Sequence, residues 1–227
     1  AMVGKYTGLS DSYLSVIKAL NHASIASSRK LIIEWIEASN LENNVIKTDP
    51  EIHADSWERL KGADGILVPG GFGDRGIEGK IVASKFSRER QLPYLGLCLG
   101  MHVAVIDFAR HVLGLVDANS IEFNPKTANP VIHFMANQTH SLKKGGTMRL
   151  GAFPCTIKKR TKLYEAYGTL SITERHRHRL EFNNVYRSDF EKNGVVLSGQ
   201  SPDQELVEVI ELKDHPWFLA CQYHPEF

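Results

Sequence analysis

The chain has 227 residues, of which 42% are apolar and 23% are charged, and its formal net charge is +1. This composition is that of an ordinary globular domain, and it excludes disordered, collagen-like, coiled-coil and membrane-spanning classes. The balanced charge also argues against a general nucleic-acid or membrane-surface binder. The three cysteines have no CxxC spacing, which argues against a disulfide framework or a zinc site and favours a reducing, cytoplasmic compartment.

The first half of the chain alternates between strand-like and helix-like patterns. In chain order these patterns predict a strand at 1–3, a helix from caps at 10–12 through Leu20, a strand at 31–36, a short helix at 55–60, a strand at 65–68, a helix at 76–90, a strand at 94–97 and a helix at 101–112. Such alternation indicates βαβ units, so the predicted fold class is α/β with a mainly parallel central sheet flanked by helices.

The second half predicts short strands separated by turns, at 156–157, 179–182, 195–197, 207–210 and 218–223. We expect them to form a smaller antiparallel strand set at one edge of the sheet. No internal repeat or linker divides the sequence, so residues 1–227 are interpreted as one domain. Since the pattern begins inside a strand and stops at Phe227 directly after a candidate motif, we expect a piece excised from a longer protein.

The segment Gly96-Leu97-Cys98-Leu99-Gly100 lies between a buried strand and an apolar helix, and it has the form of a nucleophile elbow. The glycines permit a tight turn, and the positive end of the following helix favours the reactive thiolate. The backbone N–H of Leu99 can also face a developing oxyanion. The alternative is a buried cysteine that packs as a small apolar side chain, which is the interpretation for Cys155 and Cys221.

The segment Tyr223-His224-Pro225-Glu226 offers the partners that a cysteine nucleophile needs. Pro225 favours an extended conformation at His224, in which residues two apart point the same way. Glu226 can therefore orient the imidazole of His224, and Cys98, His224 and Glu226 make a set of nucleophile, base and orienting carboxylate. The alternative is a turn with a surface histidine.

Three interpretations stay open for the glycine-rich segment at 68–76. Gly71, Gly73 and Gly76 fit the GxGxxG pattern of a Rossmann phosphate loop, although the segment does not follow the first strand. Alternatively, Gly70 and Gly71 present backbone N–H groups to an oxyanion beside Cys98. The third interpretation is a plain glycine-rich turn.

The basic run Glu174-Arg175-His176-Arg177-His178-Arg179 indicates either a solvated face or an anion site. Strand alternation would send the three arginines to one face, where they could clamp a carboxylate, and the two histidines to the other. Nucleic acid is the weaker alternative because the remaining charge is balanced and no aromatic platform lies nearby.

Taken together, the motifs resemble a class I glutamine amidotransferase domain, and within that class the glutaminase domains of the CTP synthase family. The resemblance covers nearly the whole chain and is carried by MVGKYTGLSDSYLSVIKALNHA, VPGGFGDRGIEGK, YLGLCLGM, ANSIEF, GGTMRLG, ERHRHRLEFNN and QYHPEF. The Cys…His-x-Glu pattern belongs to the whole class. The lid at 75–78, the GGTMRLG segment and the ERHRHR segment favour CTP synthase over GMP synthetase and carbamoyl-phosphate synthetase.

The resemblance implies a role for each matching residue. Cys98 attacks the side-chain amide of glutamine and forms a γ-glutamyl thioester, while His224 moves protons and Glu226 orients it. The backbone amides of Gly71 and Leu99 hold the oxyanion. Arg179 meets the α-carboxylate and Glu122 the α-amino group of glutamine. The full implied glutamine-binding set is Gly71, Phe72, Leu99, Gly100, Met101, His102, Glu122 and Arg179.

The resemblance also implies partners outside this domain. A lid comprising Arg75, Gly76, Ile77 and Glu78 matches the element through which GTP activates glutamine hydrolysis. Ammonia would pass to an N-terminal amidoligase domain, where ATP and Mg²⁺ support the amination of UTP to CTP. No cofactor or metal is expected in this domain itself. The implied full enzyme is a homotetramer, and this fragment is expected to be a monomer that lacks the amidoligase domain and the C-terminal tail.

One position departs from the class motif G-x-C-x-G-x-Q, which has Gln where this chain has His102. An imidazole is shorter than that amide and offers fewer hydrogen bonds, so we expect glutamine binding that is weakened, or pH-dependent through His102. Because of this departure, a second hypothesis is a regulatory domain that keeps the fold but no longer hydrolyses glutamine. Two further functions fit the motifs less well, namely a γ-glutamyl hydrolase on the same fold and a dinucleotide-binding module.

Overall fold

The structure, a computed structural model, describes residues 1–5, 10–134 and 148–227. Its strands are β1 Met2–Gly4, β2 Trp35–Glu37, β3 Ile66–Val68, β4 Tyr94–Leu97, β5 Asn119–Ser120, β6 Pro130–Phe134, β7 Arg149–Ile157, β8 Ser171–His178, β9 Leu180–Phe182, β10 Val195–Gln200, β11 Val207–Leu212 and β12 Phe218–Cys221. Its helices are α1 Leu14–Ala26, α2 Val45–Thr48, α3 Pro50–Lys61, α4 Ile77–Arg90, α5 Leu99–His111, α6 Lys162–Tyr167 and α7 Arg187–Lys192. Short 3-10 helices cover Ser10–Tyr13, Ala38–Leu41 and Asn184–Tyr186.

The large sheet has the strand order β2-β1-β3-β4-β12-β11-β10-β7-β8. Its first five strands are parallel to one another, and the strands from β12 to β8 pair antiparallel. The predicted α/β class is therefore confirmed, and four of the five strands predicted in the second half lie in the antiparallel part of this sheet. The fifth, predicted at 179–182, is β9 and belongs to a second sheet. A separate three-stranded sheet has the order β5-β6-β9, in which β6 and β9 are antiparallel.

The helix α5 is the central element of the core, because the β-sheet and neighbouring helices cover it on several sides. Its residues from Leu99 through Ala109 are all buried. Helix α4 packs beside it, and β3, β4, β12 and the small sheet contact it as well. A helix that is apolar around most of its circumference belongs inside a domain, as this one does. Cys155 and Cys221 are buried and unpaired, as predicted.

Several predicted boundaries are wrong, because local patterns compete with long-range packing. The strand predicted at 31–36 is β2 at Trp35–Glu37, and Ile32 in the preceding apolar run is 67% exposed. The helix predicted at 55–60 begins at Pro50, after an N-cap at Asp49 whose side chain accepts a hydrogen bond from Ile52 N at 3.1 Å. The expected caps at 10–12 form a 3-10 turn, and the N-cap of α1 is Tyr13.

The antiparallel edge is longer than the sequence indicates. Strands β7 and β8 pair over most of their length, from Arg149 opposite His178 to Thr156 opposite Ser171. The run at 171–178 is too polar to be recognised as a strand by apolar content alone. Among the described residues, no helix is both long and apolar enough to cross a bilayer.

Candidate active site

Cys98 lies in a strained turn between β4 and α5. Its backbone has φ +51° and ψ −99°, a region that residues with a side chain rarely adopt. Such strain persists only where the surrounding structure enforces it, and it concentrates at functional sites. The side chain is nearly buried, and the first N–H groups of α5 follow directly after it. The turn therefore has the geometry of the predicted nucleophile elbow.

The two flanking glycines are required by close backbone packing. A Cβ atom on Gly96 would lie 2.6 Å from the carbonyl oxygen of Gly100, and one on Gly100 would lie 2.2 Å from that of Val68. Real Cβ atoms do not approach backbone oxygens so closely, so any side chain at either position would displace the turn. The Gly-x-Cys-x-Gly spacing is thus explained by the close contacts of α5 with β3 and β4.

Sheet topology brings His224 to Cys98. Strands β4 and β12 are parallel neighbours with Leu97 opposite Cys221, and Cys98 N donates to Cys221 O at 2.7 Å. Because the carboxyl ends of parallel neighbours lie at the same edge, the residues that follow both strands meet there. The backbone of His224 is fixed in turn by its N–H, which donates to Arg175 O at 2.8 Å.

His224 and Glu226 form the predicted pair. His224 Nδ1 lies 2.8 Å from Glu226 Oε1, and the Glu226 side chain is only 6% exposed. Burial lowers the pKa of His224, but hydrogen bonds and charge interactions with Cys98 and Glu226 outweigh it and raise that pKa to about 10. The imidazole is therefore held as a cation between a sulfur and a carboxylate, which is the arrangement of an activated thiol.

The glycine-rich loop after β3 lies against both reactive side chains. A Cβ on Gly70 would lie 2.8 Å from His224 Cε1 and 3.5 Å from the Cβ of Cys98. Lys5 stabilises the loop, because its Nζ donates hydrogen bonds to the carbonyl oxygens of Phe72 and Gly73 at 2.9 and 2.8 Å. This placement favours the oxyanion interpretation of Gly70 and Gly71 over a plain turn.

A cavity of about 150 Å³ opens beside Cys98. Its lining contains six of the eight residues predicted to bind glutamine: Gly71, Phe72, Leu99, His102, Glu122 and Arg179. The remaining two, Gly100 and Met101, lie buried within α5. Sequence reasoning missed Phe134, His178 and Leu180, which complete the lining. Only His178 carried a signal, as the inward residue of an alternating run.

The family described as Glutamine amidotransferase class-I matches residues 9–227. The chain belongs to this family. A solved structure of the glutaminase domain of Trypanosoma brucei CTPS with bound acivicin is 37% identical, with a TM-score of 0.90, and the match covers all of this chain and 85% of that one. Within the family, the chain is a CTP synthase-type glutamine amidotransferase domain. The expected fold of this class is therefore confirmed.

The curated relatives of this chain are also CTP synthases. The CTP synthase of Moorella thermoacetica is 53% identical and that of Caldanaerobacter subterraneus subsp. tengcongensis 55% identical, each over all 227 residues. The chain spans about 40% of the length of these relatives. A glutamine amidotransferase from Thermotoga maritima, 10% identical with a TM-score of 0.54 over 91% of this chain and 69% of that one, shares the fold alone. Membership of this family removes the main support for a dinucleotide-binding module.

His102, the departure from the amidotransferase motif, is buried and forms part of a chain of polar groups. Its Nε2 lies 2.8 Å from Gln222 Oε1, and Gln222 Nε2 donates to Cys98 Sγ at 3.8 Å. Burial lowers the pKa of His102 to about 4, with Gln222 opposing that shift, so the ring is neutral at physiological pH. The expectation of pH-dependent binding through His102 is therefore not supported. Sequence reasoning gave no role to Gln222.

The residues of the predicted amidotransferase lid do not line the cavity. Arg75 Nη2 donates to Glu37 Oε1 at 3.2 Å, and Glu78 accepts from Arg110 Nη1 at 2.7 Å. Gly76, with φ +72°, is the N-cap of α4. The lid lies next to the oxyanion loop in the chain, but its side chains bind elsewhere in this structure. The first three residues of the GGTMRLG segment, at 145–147, lie outside the described residues.

The basic run divides between two cavities. Arg179 lines the 150 Å³ cavity, whereas Arg175 and Arg177 line a second one, of about 460 Å³, to which Cys98 and His224 also contribute. The burial pattern keeps the predicted alternation, with the three arginines more exposed than the residues between them, but Arg179 lies beyond the end of β8 and faces a different cavity from the other two. His176 and His178 point inward, as predicted.

Behind the amidotransferase site lies a buried charged cluster that the sequence did not reveal. Arg149 Nη1 lies 2.6 Å from Glu208 Oε1 and 3.6 Å from Glu181 Oε1. His176 Nδ1 and His178 Nε2 are 2.8 Å apart. Burial, aided by the Arg149 charge, lowers the pKa of His176 to about 3, so it is neutral. Among the described residues, no group of His, Cys, Asp and Glu side chains has the arrangement to hold a metal ion.

Proposed function

We propose that the domain hydrolyses the side-chain amide of glutamine through a γ-glutamyl thioester on Cys98. The observation that carries this proposal is the grouping of Cys98, His224 and Glu226, in which Cys98 lines the 150 Å³ cavity and also contacts His224, with the glycine loop beside them. Family membership supports the same chemistry.

In the proposed reaction, the Cys98 sulfur attacks the amide carbon of glutamine. Negative charge develops on the amide oxygen, which the backbone N–H groups of Gly71 and Leu99 stabilise. The His224 imidazolium gives its proton to the departing nitrogen, so ammonia leaves and the thioester remains. The neutral His224 then takes a proton from water, which attacks the thioester and releases glutamate and the Cys98 thiolate.

The proposed substrate orientation follows from the charged residues of the cavity. Arg179 presents a guanidinium suited to the α-carboxylate of glutamine. Glu122 also lines the cavity and accepts a long hydrogen bond from Gly73 N at 3.5 Å, so its carboxylate is available near the loop for the α-amino group. Phe72, which is 50% exposed, supplies an apolar wall. Gly100 and Met101 contribute backbone and packing rather than side-chain contacts.

For the whole protein, we propose that the ammonia supplies an amidoligase domain that aminates UTP to CTP with ATP and Mg²⁺. The names and greater length of the curated relatives support this. GTP activation through Arg75, Gly76 and Glu78, a homotetrameric full enzyme, a monomeric fragment and a cytoplasmic location belong to the same proposal.

The test of this larger role joins the chain to an amidoligase domain of a relative. Glutamine should then support CTP formation in the parent and not in Cys98→Ser, while added ammonia should support it in both. Equal glutamine-dependent rates in the parent and in Cys98→Ser would contradict the proposal.

Glu226→Gln should lower kcat for glutamine about 100-fold. The carboxylate helps to raise the pKa of His224 to about 10, so its loss moves that pKa down towards 6.5. The imidazolium that protonates the leaving ammonia is then lost at lower pH, and the alkaline limb of the kcat profile should move to lower pH. Glu191→Gln, an exposed change in α7, is the matched control. An alkaline limb at the parent position would contradict this role of Glu226.

His102→Gln should lower the KM for glutamine about tenfold, because the amide side chain is longer and offers more hydrogen-bond donors than a neutral imidazole. Steady-state glutamate formation measures this, and the exposed His133→Gln serves as the control. An unchanged KM would show that His102 substitutes fully for the glutamine of the class motif.

A further inference from the structure

One lysine is completely buried next to the reactive cysteine. Lys80 lies in the first turns of α4 with 0% of its surface exposed, and its Nζ has no hydrogen-bond partner within the described part of the chain. A buried ammonium without a partner is costly to fold, and proteins normally pair such groups. The stability of the domain therefore gives no reason for a lysine at this position, which points to a role in the chemistry.

The ammonium of Lys80 lies against the back of the oxyanion loop. A Cβ atom on Gly71 would lie 3.9 Å from Lys80 Nζ and 3.7 Å from Leu99 Cδ2. Gly71 and Leu99 are the two residues whose N–H groups face the proposed oxyanion. The positive charge thus lies behind the donors rather than in the cavity, since Lys80 is not among the residues that line it.

The charged groups around Lys80 come from three neighbouring elements. Lys5, after β1, disfavours its charge, whereas Glu37 at the end of β2 and Cys98 before α5 favour it. Burial is the largest effect, and together these groups lower the pKa of Lys80 to about 7, so the ammonium form is about half populated at pH 7 and predominates below it, where the test is made. The two lysines also differ in role: Lys5 donates to the loop carbonyls of Phe72 and Gly73, while no described group accepts a hydrogen bond from Lys80.

We propose that Lys80 is a positioning residue for thioester formation, whose buried ammonium acts through the Gly71 loop to stabilise the negative charge on the amide oxygen of glutamine. A cation fixed in a water-free site is oriented before the reaction begins, so its effect costs no reorganisation. The inference rests on the proposed glutamine hydrolysis. Removal of one oxyanion-hole donor lowers kcat by about 10²–10³. Since the Lys80 charge lies behind those donors, its removal should lower kcat less, by about 10- to 100-fold.

The test is Lys80→Met, which keeps a long unbranched side chain and removes the charge. Two reactions of the 227-residue protein are compared: glutamine hydrolysis, which passes through an oxyanion, and alkylation of Cys98 by iodoacetamide, which displaces iodide and forms none. We expect kcat for glutamine to fall about 10- to 100-fold with the KM within about twofold of the parent, and the alkylation rate to fall much less than kcat, since the same ammonium also favours the Cys98 thiolate.

The melting temperature gives an independent readout. Since a buried unpaired charge is replaced by an apolar group of similar volume, Lys80→Met should melt at the parent temperature or higher. If Lys80 had only a structural role, Lys80→Met would lower the melting temperature, so an unchanged melting temperature with a lower kcat indicates a role in the reaction. Lys85→Met, on the more exposed side of the same helix where Lys85 pairs with Glu89, is the matched control and should change neither reaction.

Three results would overturn the inference: an unchanged kcat, an equal loss in hydrolysis and alkylation, or a raised KM with normal kcat. Lys80→Gln, also uncharged, replaces Lys80→Met if the latter does not fold, and the same outcomes apply. If the parent protein itself does not hydrolyse glutamine, the proposed function fails and this inference with it. If the parent is active and Lys80→Met equally so, only the inference about Lys80 fails.

Discussion

Cys98→Ser should lower kcat for glutamine by about three orders of magnitude or more, with the fold intact. A serine hydroxyl does not form the ion pair that holds the His224 imidazole as a cation, so the nucleophile is not activated. Loss of one member of a cooperating catalytic set commonly costs nearly as much as loss of the whole set. Glutamate formation from glutamine, followed at fixed pH, measures the effect.

Cys155→Ser is the matched control for this change. Burial raises the pKa of the Cys155 thiol to about 12, so that thiol is inert at neutral pH, and it lies in β7 outside both cavities. Its replacement should leave kcat within about twofold. Comparable losses in the two variants would contradict the assignment of Cys98 as the nucleophile.

Gly100→Ala should destabilise the domain by about 3 kcal/mol or more. The new Cβ would lie 2.2 Å from Val68 O and 3.2 Å from Val68 C, which are backbone atoms of a buried strand that cannot yield like a flexible side chain. Helix α5 must then move away from β3, and Cys98 moves with it. Urea unfolding measures the stability, and glutamine hydrolysis should be lost in parallel.

Gly62→Ala provides the comparison for a glycine without such a contact. Gly62 is the C-cap of α3 with φ −80°, and its nearest atom, Glu58 O, would be 3.4 Å from the new Cβ. Its replacement should change the free energy of unfolding by less than about 1 kcal/mol. If Gly100→Ala costs no more than Gly62→Ala, the steric explanation of the elbow glycines is wrong.

The parts of the site that sequence reasoning located are those carried by short contiguous motifs. The elbow around Cys98 and the pair His224 and Glu226 are specified within a few residues each, because turn geometry and extended backbone act locally. The alternation of strands and helices in the first half was equally readable. The two motifs meet because β4 and β12 are neighbouring strands, and the local sequence does not reveal this strand order.

The parts that the sequence did not reveal depend on distant residues. Strand β8 is polar because its inward histidines contact a buried cluster around Arg149, and no local apolar signal marks it. Gln222 and Lys80 belong to the quoted segments QYHPEF and VPGGFGDRGIEGK, but the motifs assign neither of them a role. Their roles depend on neighbours at Cys98 and Gly71, which only the folded structure brings close.

The most direct test of the central claim is peptide mapping after incubation with a diazo-ketone analogue of glutamine. We predict one adduct, equal in mass to the analogue without its dinitrogen, on the peptide that contains Cys98. It should be absent in Cys98→Ser and suppressed by excess glutamine. No adduct on a folded protein, or an adduct on Cys155 or Cys221 instead, would contradict the assignment of this cavity as a glutamine site with Cys98 as its nucleophile.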